Sequence, residues 1–199
     1  MCQFDLAKVL EAEMKELGLV DVETDEMCYL YGKLPATPGY EDKPAIGFIA
    51  HMDTVADFVE DEIVPVLHEN YDGESFELGN SGRILSTEVF PHLKDLKGRT
   101  LITTNGNTIL GADDKAGIAE ILTVMETLIK ENIPHGPLCV AFTPDEEIGT
   151  GAAHFNVEKF GADFAYTMEG EIEGEIQYES FNAAKAVFDI TGFSVHPGT

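Results

Sequence analysis

The stretch Asp113–Glu147, DDKAGIAEILTVMETLIKENIPHGPLCVAFTPDEE, holds a long amphipathic helix pattern followed by a short apolar run, and the run breaks off in three consecutive carboxylates. Apolar residues recur at helical spacing up to Lys130, whereas GPLCVAFT is continuously apolar and bounded by turn residues, the pattern of a fully buried strand. With TLITT (100–104) before it, the order reads strand, helix, strand. Such alternation argues an α/β domain in which helices pack on both faces of a largely parallel central sheet.

Working outward, Phe4, Leu6, Val9, Leu10, Met14 and Leu17 predict an opening helix that stops at Gly18. VDVET, MCYLYGKL and IGFIA read as strands. Residues 57–98 are acidic, rich in Gly, Asn and Pro, and weakly periodic, an irregular excursion with one or two short strands. ADFAYTME is strand-like again, and GEIQYESFNAAKAVFDITG alternates as an antiparallel hairpin does. The domain reading is a catalytic domain over 1–178 and the start of a second domain over 179–199.

Composition narrows the function. The 37 acidic residues outnumber the 12 basic ones for a net charge of -25, which would repel a nucleic-acid backbone. Three cysteines (Cys2, Cys28, Cys139) without CxxC spacing suggest neither a disulfide framework nor a thiolate zinc site, and fit a reducing cytoplasm. No apolar run approaches the roughly 20 residues that span a bilayer, so no membrane partner is expected.

Ligands of open α/β sheets collect beyond the carboxyl ends of the strands. Four apolar segments end in acid or histidine: IGFIA in His51-Met52-Asp53, TLITT leading to Asp113-Asp114, LCVAFT in Asp145-Glu146-Glu147, and FAYTM in Glu169. Carboxylates gathered on one rim raise one another's pKa unless a cation sits among them. One imidazole with several carboxylates suits zinc, manganese or cobalt in a catalytic site. Taken singly these residues have plainer readings: Asp113 as a helix N-cap, Glu146 and Glu147 as a solvated turn, His51 as a satisfied polar residue. Their order and their strand-end placement favour the metal site.

HMDT, LGADDKAGIAEI, TPDEEIG, SFNAA and VHPGT together resemble the di-zinc exopeptidase family, which holds tripeptide aminopeptidases, carboxypeptidases and deacylases. The tripeptide aminopeptidase branch is the most similar, over nearly the whole chain. The resemblance implies that the chain is cut at both ends and that 179–199 carries the first strands of a lid and dimerisation domain. It implies two zinc ions per complete subunit: His51 and Glu169 on the first, Asp113 bridging, and Glu147 on the second. Glu146 would be the general base. Asp53, two residues past His51 and so on the same face of an extended chain, would hold the imidazole tautomer. His196 would reach the substrate. Asp145 and Asp114 have no ligand role and read as capping, loop-bonding or supporting groups, while Lys115 offsets their charge. His68, His92, His135 and His154 match no motif and read as surface or loop residues.

The implied activity is removal of the N-terminal residue from short peptides, tripeptides above all, by metal-activated water, with a homodimer of the intact protein allowed. The branch departs at one point: Glu169 stands where tripeptidases usually have Asp and where carboxypeptidases and deacylases commonly have Glu. A related carboxypeptidase or deacylase, or a non-catalytic metal-binding fragment as the chain stands, remain the alternatives.

Overall fold

A computed structural model describes residues 3–55, 62–170, 173–179 and 182–192. The chain falls into two compact units, Met1–Glu169 and Gly170–Thr199. In the first, helix α1 (Gln3–Leu17) leads into strands β1 (Val20–Thr24), β2 (Leu30–Leu34) and β3 (Ile46–His51). The excursion that follows contains β4 (Pro65–His68), β5 (Phe76–Glu77), β6 (Ile84–Leu85), a 3-10 turn (Pro91–Leu96) and β7 (Leu101–Thr104). Helix α2 (Ala112–Lys130), β8 (Leu138–Thr143), the one-turn helix α3 (Val157–Phe160) and β9 (Phe164–Thr167) complete the unit.

Helix α1 buries Ala7, Leu10 and Met14, one stripe at helical spacing. It ends as its glycine predicts. Gly18 is left-handed at φ 93°, its N–H reaches the Lys15 carbonyl, and the Leu19 N–H reaches that of Met14. This is the paired closure of a Schellman motif, sealed by buried Leu19.

The central sheet has the order β1-β2-β8-β3-β9. It is mixed, which corrects the largely parallel sheet expected above. β3 runs parallel to both β8 and β9, but β2 is antiparallel to β8 and to β1. For β1 and β2 the reason lies in their short connection, which permits only an antiparallel pair. There the Asp25 carboxylate accepts the N–H groups of Met27 and Tyr29 and folds the turn. A second correction concerns β7. It pairs with β4 in a separate two-stranded sheet and is no strand of the central one.

Helices lie on both faces, unequally. α1 and α2 share the larger core, where Leu10, Met14, Ile118, Ile121, Leu122 and Met125 meet Leu30, Val140 and Phe142 of the sheet. The other face is covered by a smaller cluster in which Phe160 of α3 and Phe155 pack on Tyr29, Tyr31, Cys139 and Ala141. Central β8 is buried at all six residues, as its unbroken apolar run requires. Within the described residues no helix is long and apolar enough to cross a membrane.

In the second unit the described residues 173–179 and 182–192 contain no strand. Alternation favours a hairpin there, but a period of two without an apolar layer to pack on gives a hairpin only marginal stability. Tyr178, Val187, Phe188 and Ile190 are all exposed. Ser180, Phe181 and His196 lie outside the described residues.

Candidate metal centre

Register builds the rim. β3 and β8 pair from Ile46↔Leu138 to His51↔Thr143, so both end at the same level. The Met52 N–H continues the ladder to the Thr143 carbonyl, and on the other side the Met168 N–H bonds Ile49. His51, the turn after Thr143 and Glu169 therefore emerge together. Asp113 arrives by a different route, through the loop between β7 and α2.

The donor atoms of His51, Asp113 and Glu169 all lie within 4.8 Å of one another. His51 Nε2 is 2.8 Å from Asp113 Oδ1, 3.7 Å from Glu169 Oε2 and 3.9 Å from Glu146 Oε2. The imidazole is buried, at 3% exposure, while the Asp113, Glu146 and Glu169 side chains are 74%, 50% and 42% exposed. A buried ring thus presents one nitrogen to a semicircle of carboxylates open to solvent.

The other ring nitrogen is accounted for. His51 Nδ1 lies 3.1 Å from the Asp53 carbonyl oxygen and 3.3 Å from its Oδ1. Both are acceptors, so Nδ1 carries a proton, and Nε2 is the nitrogen that faces the acids: it donates to Asp113 when protonated and offers its lone pair to a cation when not. Asp53 does more than its spacing suggested. Its two carboxylate oxygens accept the N–H groups of Glu146 and Glu147, each at 3.0 Å, and so clamp the turn after β8 to the end of β3.

That turn explains how three consecutive acids coexist. Asp145 takes the left-handed region at φ 57°, which Asp tolerates better than most residues, and its Oδ1 accepts from Gln3 Nε2 of α1. Its carbonyl accepts the Thr150 N–H while that of Glu146 accepts the Gly149 N–H. Asp145 is thereby turned toward α1 and Glu146 toward His51. The Glu147 backbone is fixed on Asp53, and its side chain is not among the three that converge.

The helix cap belongs to Asp114, not Asp113. Asp113 and Asp114 both have non-helical dihedrals, joined by a cis peptide bond, and regular helix begins after them. Asp114 Oδ1 accepts the Gly117 N–H and its Oδ2 the His51 N–H, which leaves the Asp113 carboxylate free of capping duty. Gly117, which sequence reading passed over, is why α2 approaches so closely. A Cβ there would collide with the Met168 carbonyl oxygen and stand 2.5 Å from Asp114 Oδ1. A glycine early in an otherwise strong helix pattern was the available signal.

Electrostatics follow from this crowding. Burial, together with the charges of Glu146, Asp113 and Glu147, raises the Glu169 carboxyl above its ordinary pKa, against the pull of His51. Burial pushes Asp114 up to about 6, against hydrogen bonds from His51 and Gly117. For His51 burial acts downward, but the Asp113 hydrogen bond and the charges of Asp113, Asp114 and Asp53 outweigh it and the imidazole is raised. A cluster in which acids resist ionising and an imidazole favours its proton is one that a cation would relieve. One nitrogen and several carboxylate oxygens on a solvent-open rim fit a divalent transition metal.

Residues 103–184 match the sequence profile of Peptidase family M20/M25/M40. The chain is similar to peptidase T of an Exiguobacterium species, 55% identical over 199 residues that make up 99% of this chain and 48% of that protein. Peptidase T of Alkaliphilus oremlandii is 52% identical over 200 residues, 99% of this chain and 49% of that protein. Among solved structures a tripeptidase from Staphylococcus aureus superposes with a TM-score of 0.61 at 28% identity, over 84% of this chain and 38% of that one. Aminopeptidase PepT from Bacillus cereus gives a TM-score of 0.60 at 29% identity, over 82% and 37%. The chain spans about half the length of the curated relatives it matches. By these matches the chain is similar, over nearly its whole length, to about half of the peptidase T proteins, and its residues 103–184 match Peptidase family M20/M25/M40.

Proposed function

We propose that the chain carries the metal-binding part of a metal-dependent aminopeptidase that removes the N-terminal residue from short peptides, tripeptides foremost. The observation that carries this reading is the convergence of His51, Asp113 and Glu169 within 4.8 Å, with the Glu146 carboxylate beside them. In it His51, Asp113 and Glu169 would hold one zinc ion, and Glu147, with Asp113, would hold a second. A zinc ion so held would polarise the peptide carbonyl and lower the pKa of water toward neutrality.

The chain's own residues do the rest. Glu146 is held by its N–H on Asp53 and is half exposed, so its carboxylate can meet water and substrate together. It takes the proton from the attacking water and returns it to the departing amine, the work of a general base turned acid. Asp53 keeps the His51 proton on Nδ1 and the Glu146 turn in place at once. His196 contacts the substrate, residues 179–199 begin a lid, and the intact protein works in the cytoplasm as a homodimer.

The zinc-loaded complete polypeptide should hydrolyse an unblocked tripeptide and leave the same peptide intact when its amine is acylated. Cleavage of the acylated peptide alone would move the assignment to a deacylase or carboxypeptidase, as Glu169 in place of Asp suggests.

A further inference from the structure

We propose that Lys115 is a positioning residue of this centre, its ammonium group holding the Asp53 backbone carbonyl and, through it, the His51 ring. The proposal rests on the metal-site reading above. Lys115 occupies the first regular turn of α2, where a cation opposes the helix dipole and helix stability would favour an acid. Its placement therefore calls for a local reason. The side chain is half-buried and runs beneath Gly111, where a Cβ would stand 3.7 Å from Nζ and 3.0 Å from Thr54 Cγ2.

Among the described residues it ends on one hydrogen-bond acceptor. Lys115 Nζ donates to the Asp53 carbonyl oxygen at 3.2 Å, and the same oxygen lies 3.1 Å from His51 Nδ1. A carbonyl has two lone pairs, so it serves both donors. One peptide group thus links the first turn of α2 to the imidazole at the end of β3. Asp53, Asp113, Asp114 and Glu147 are the charges that face the ammonium group. The plainer reading is that Lys115 only screens those acids.

The two readings predict opposite signs. If Lys115 only screens, removing its charge leaves the site more negative and zinc binds more tightly. If Lys115 positions, removing it frees the Asp53 carbonyl, the ring loses its fixed orientation, and zinc binds more weakly by about 10–100-fold, the usual effect of losing a group that orients a ligand. In the complete polypeptide, zinc affinity measured by competition with a chromophoric chelator should fall in Lys115→Met and recover most of its strength in Lys115→Arg, which restores a cationic donor. For the tripeptide, kcat should fall in Lys115→Met with KM little changed. Equal or tighter zinc binding by Lys115→Met overturns the proposal. Should Lys115→Met fail to fold by its thermal melt, Lys115→Gln, neutral and with its donor on a shorter stem, serves in its place: weaker binding supports positioning, and unchanged or tighter binding refutes it. Wild-type protein that bound no zinc would overturn the metal-site reading itself, an outcome distinct from a wild type and a Lys115→Met variant that bind alike.

Discussion

Glu146→Gln is expected to lower peptide hydrolysis by about 10²–10⁴-fold, the range spanned by loss of a positioned general base. The amide keeps the size of the side chain but cannot accept the water's proton. The backbone N–H of residue 146 still reaches Asp53 Oδ1, so the turn stays folded and metal content should match wild type. Glu146 Oε2 lies 3.9 Å from His51 Nε2 but is outside the group of donor atoms that converge within 4.8 Å, which fits a group beside the metal donors. Parallel kinetics and elemental analysis check the result. A variant that lost its metal along with its activity would make Glu146 a ligand, and one that kept its full rate would remove it from the chemistry.

The second large effect comes from a residue with no polar side chain. Gly117→Ala would drive a methyl group into the Met168 carbonyl oxygen and against Asp114 Oδ1, and a main-chain oxygen has no rotamer by which to yield. Forcing an extra carbon into such a contact costs about 1–3 kcal/mol. More follows from what lies behind the clash. Met168 precedes Glu169, and Asp114 both caps α2 and receives the His51 N–H, so displacing either shifts two of the three converging donors. Gly117→Ala should therefore unfold at lower temperature and bind zinc at least tenfold more weakly, since outer-shell disruption typically costs about 10–100-fold. An alanine variant elsewhere on α2, at exposed Glu120, should change neither property.

How much of this was legible beforehand can be traced residue by residue. The rim was legible because a buried strand that stops abruptly at polar residues leaves its signature in the chain: IGFIA then His51, LCVAFT then Pro144-Asp145-Glu146, FAYT then Met168-Glu169. Strand direction was not, because periodicity is the same for parallel and antiparallel neighbours. For β1 against β2 it was settled by the Asp25 turn, a local device without a hydrophobic signal. β7 was drawn into the central sheet because its apolar character precedes α2. Its true partner, β4, lies across an acidic stretch with no periodicity to announce the pairing.

The site was legible in its residue types and less so in its wiring. Both aspartates before α2 qualify as caps on sequence, and only the geometry gives the cap to Asp114 and leaves Asp113 facing His51. The carboxylate of Asp53 was expected near an imidazole, but its grip on two backbone N–H groups more than ninety positions away depends on β3 and β8 ending in register. Gly117 and Lys115 carry no catalytic atom, so their parts in the site become visible only when α2 is set against the strand ends.

The most direct test of the central claim is where zinc binds. Anomalous diffraction collected at the zinc edge from crystals of the metal-loaded complete polypeptide should place a peak among His51 Nε2, Asp113 and Glu169, within bonding distance of all three and with Glu146 unligated. No peak among these three residues, or saturated zinc binding in a His51→Ala, Asp113→Ala double variant, would contradict the account.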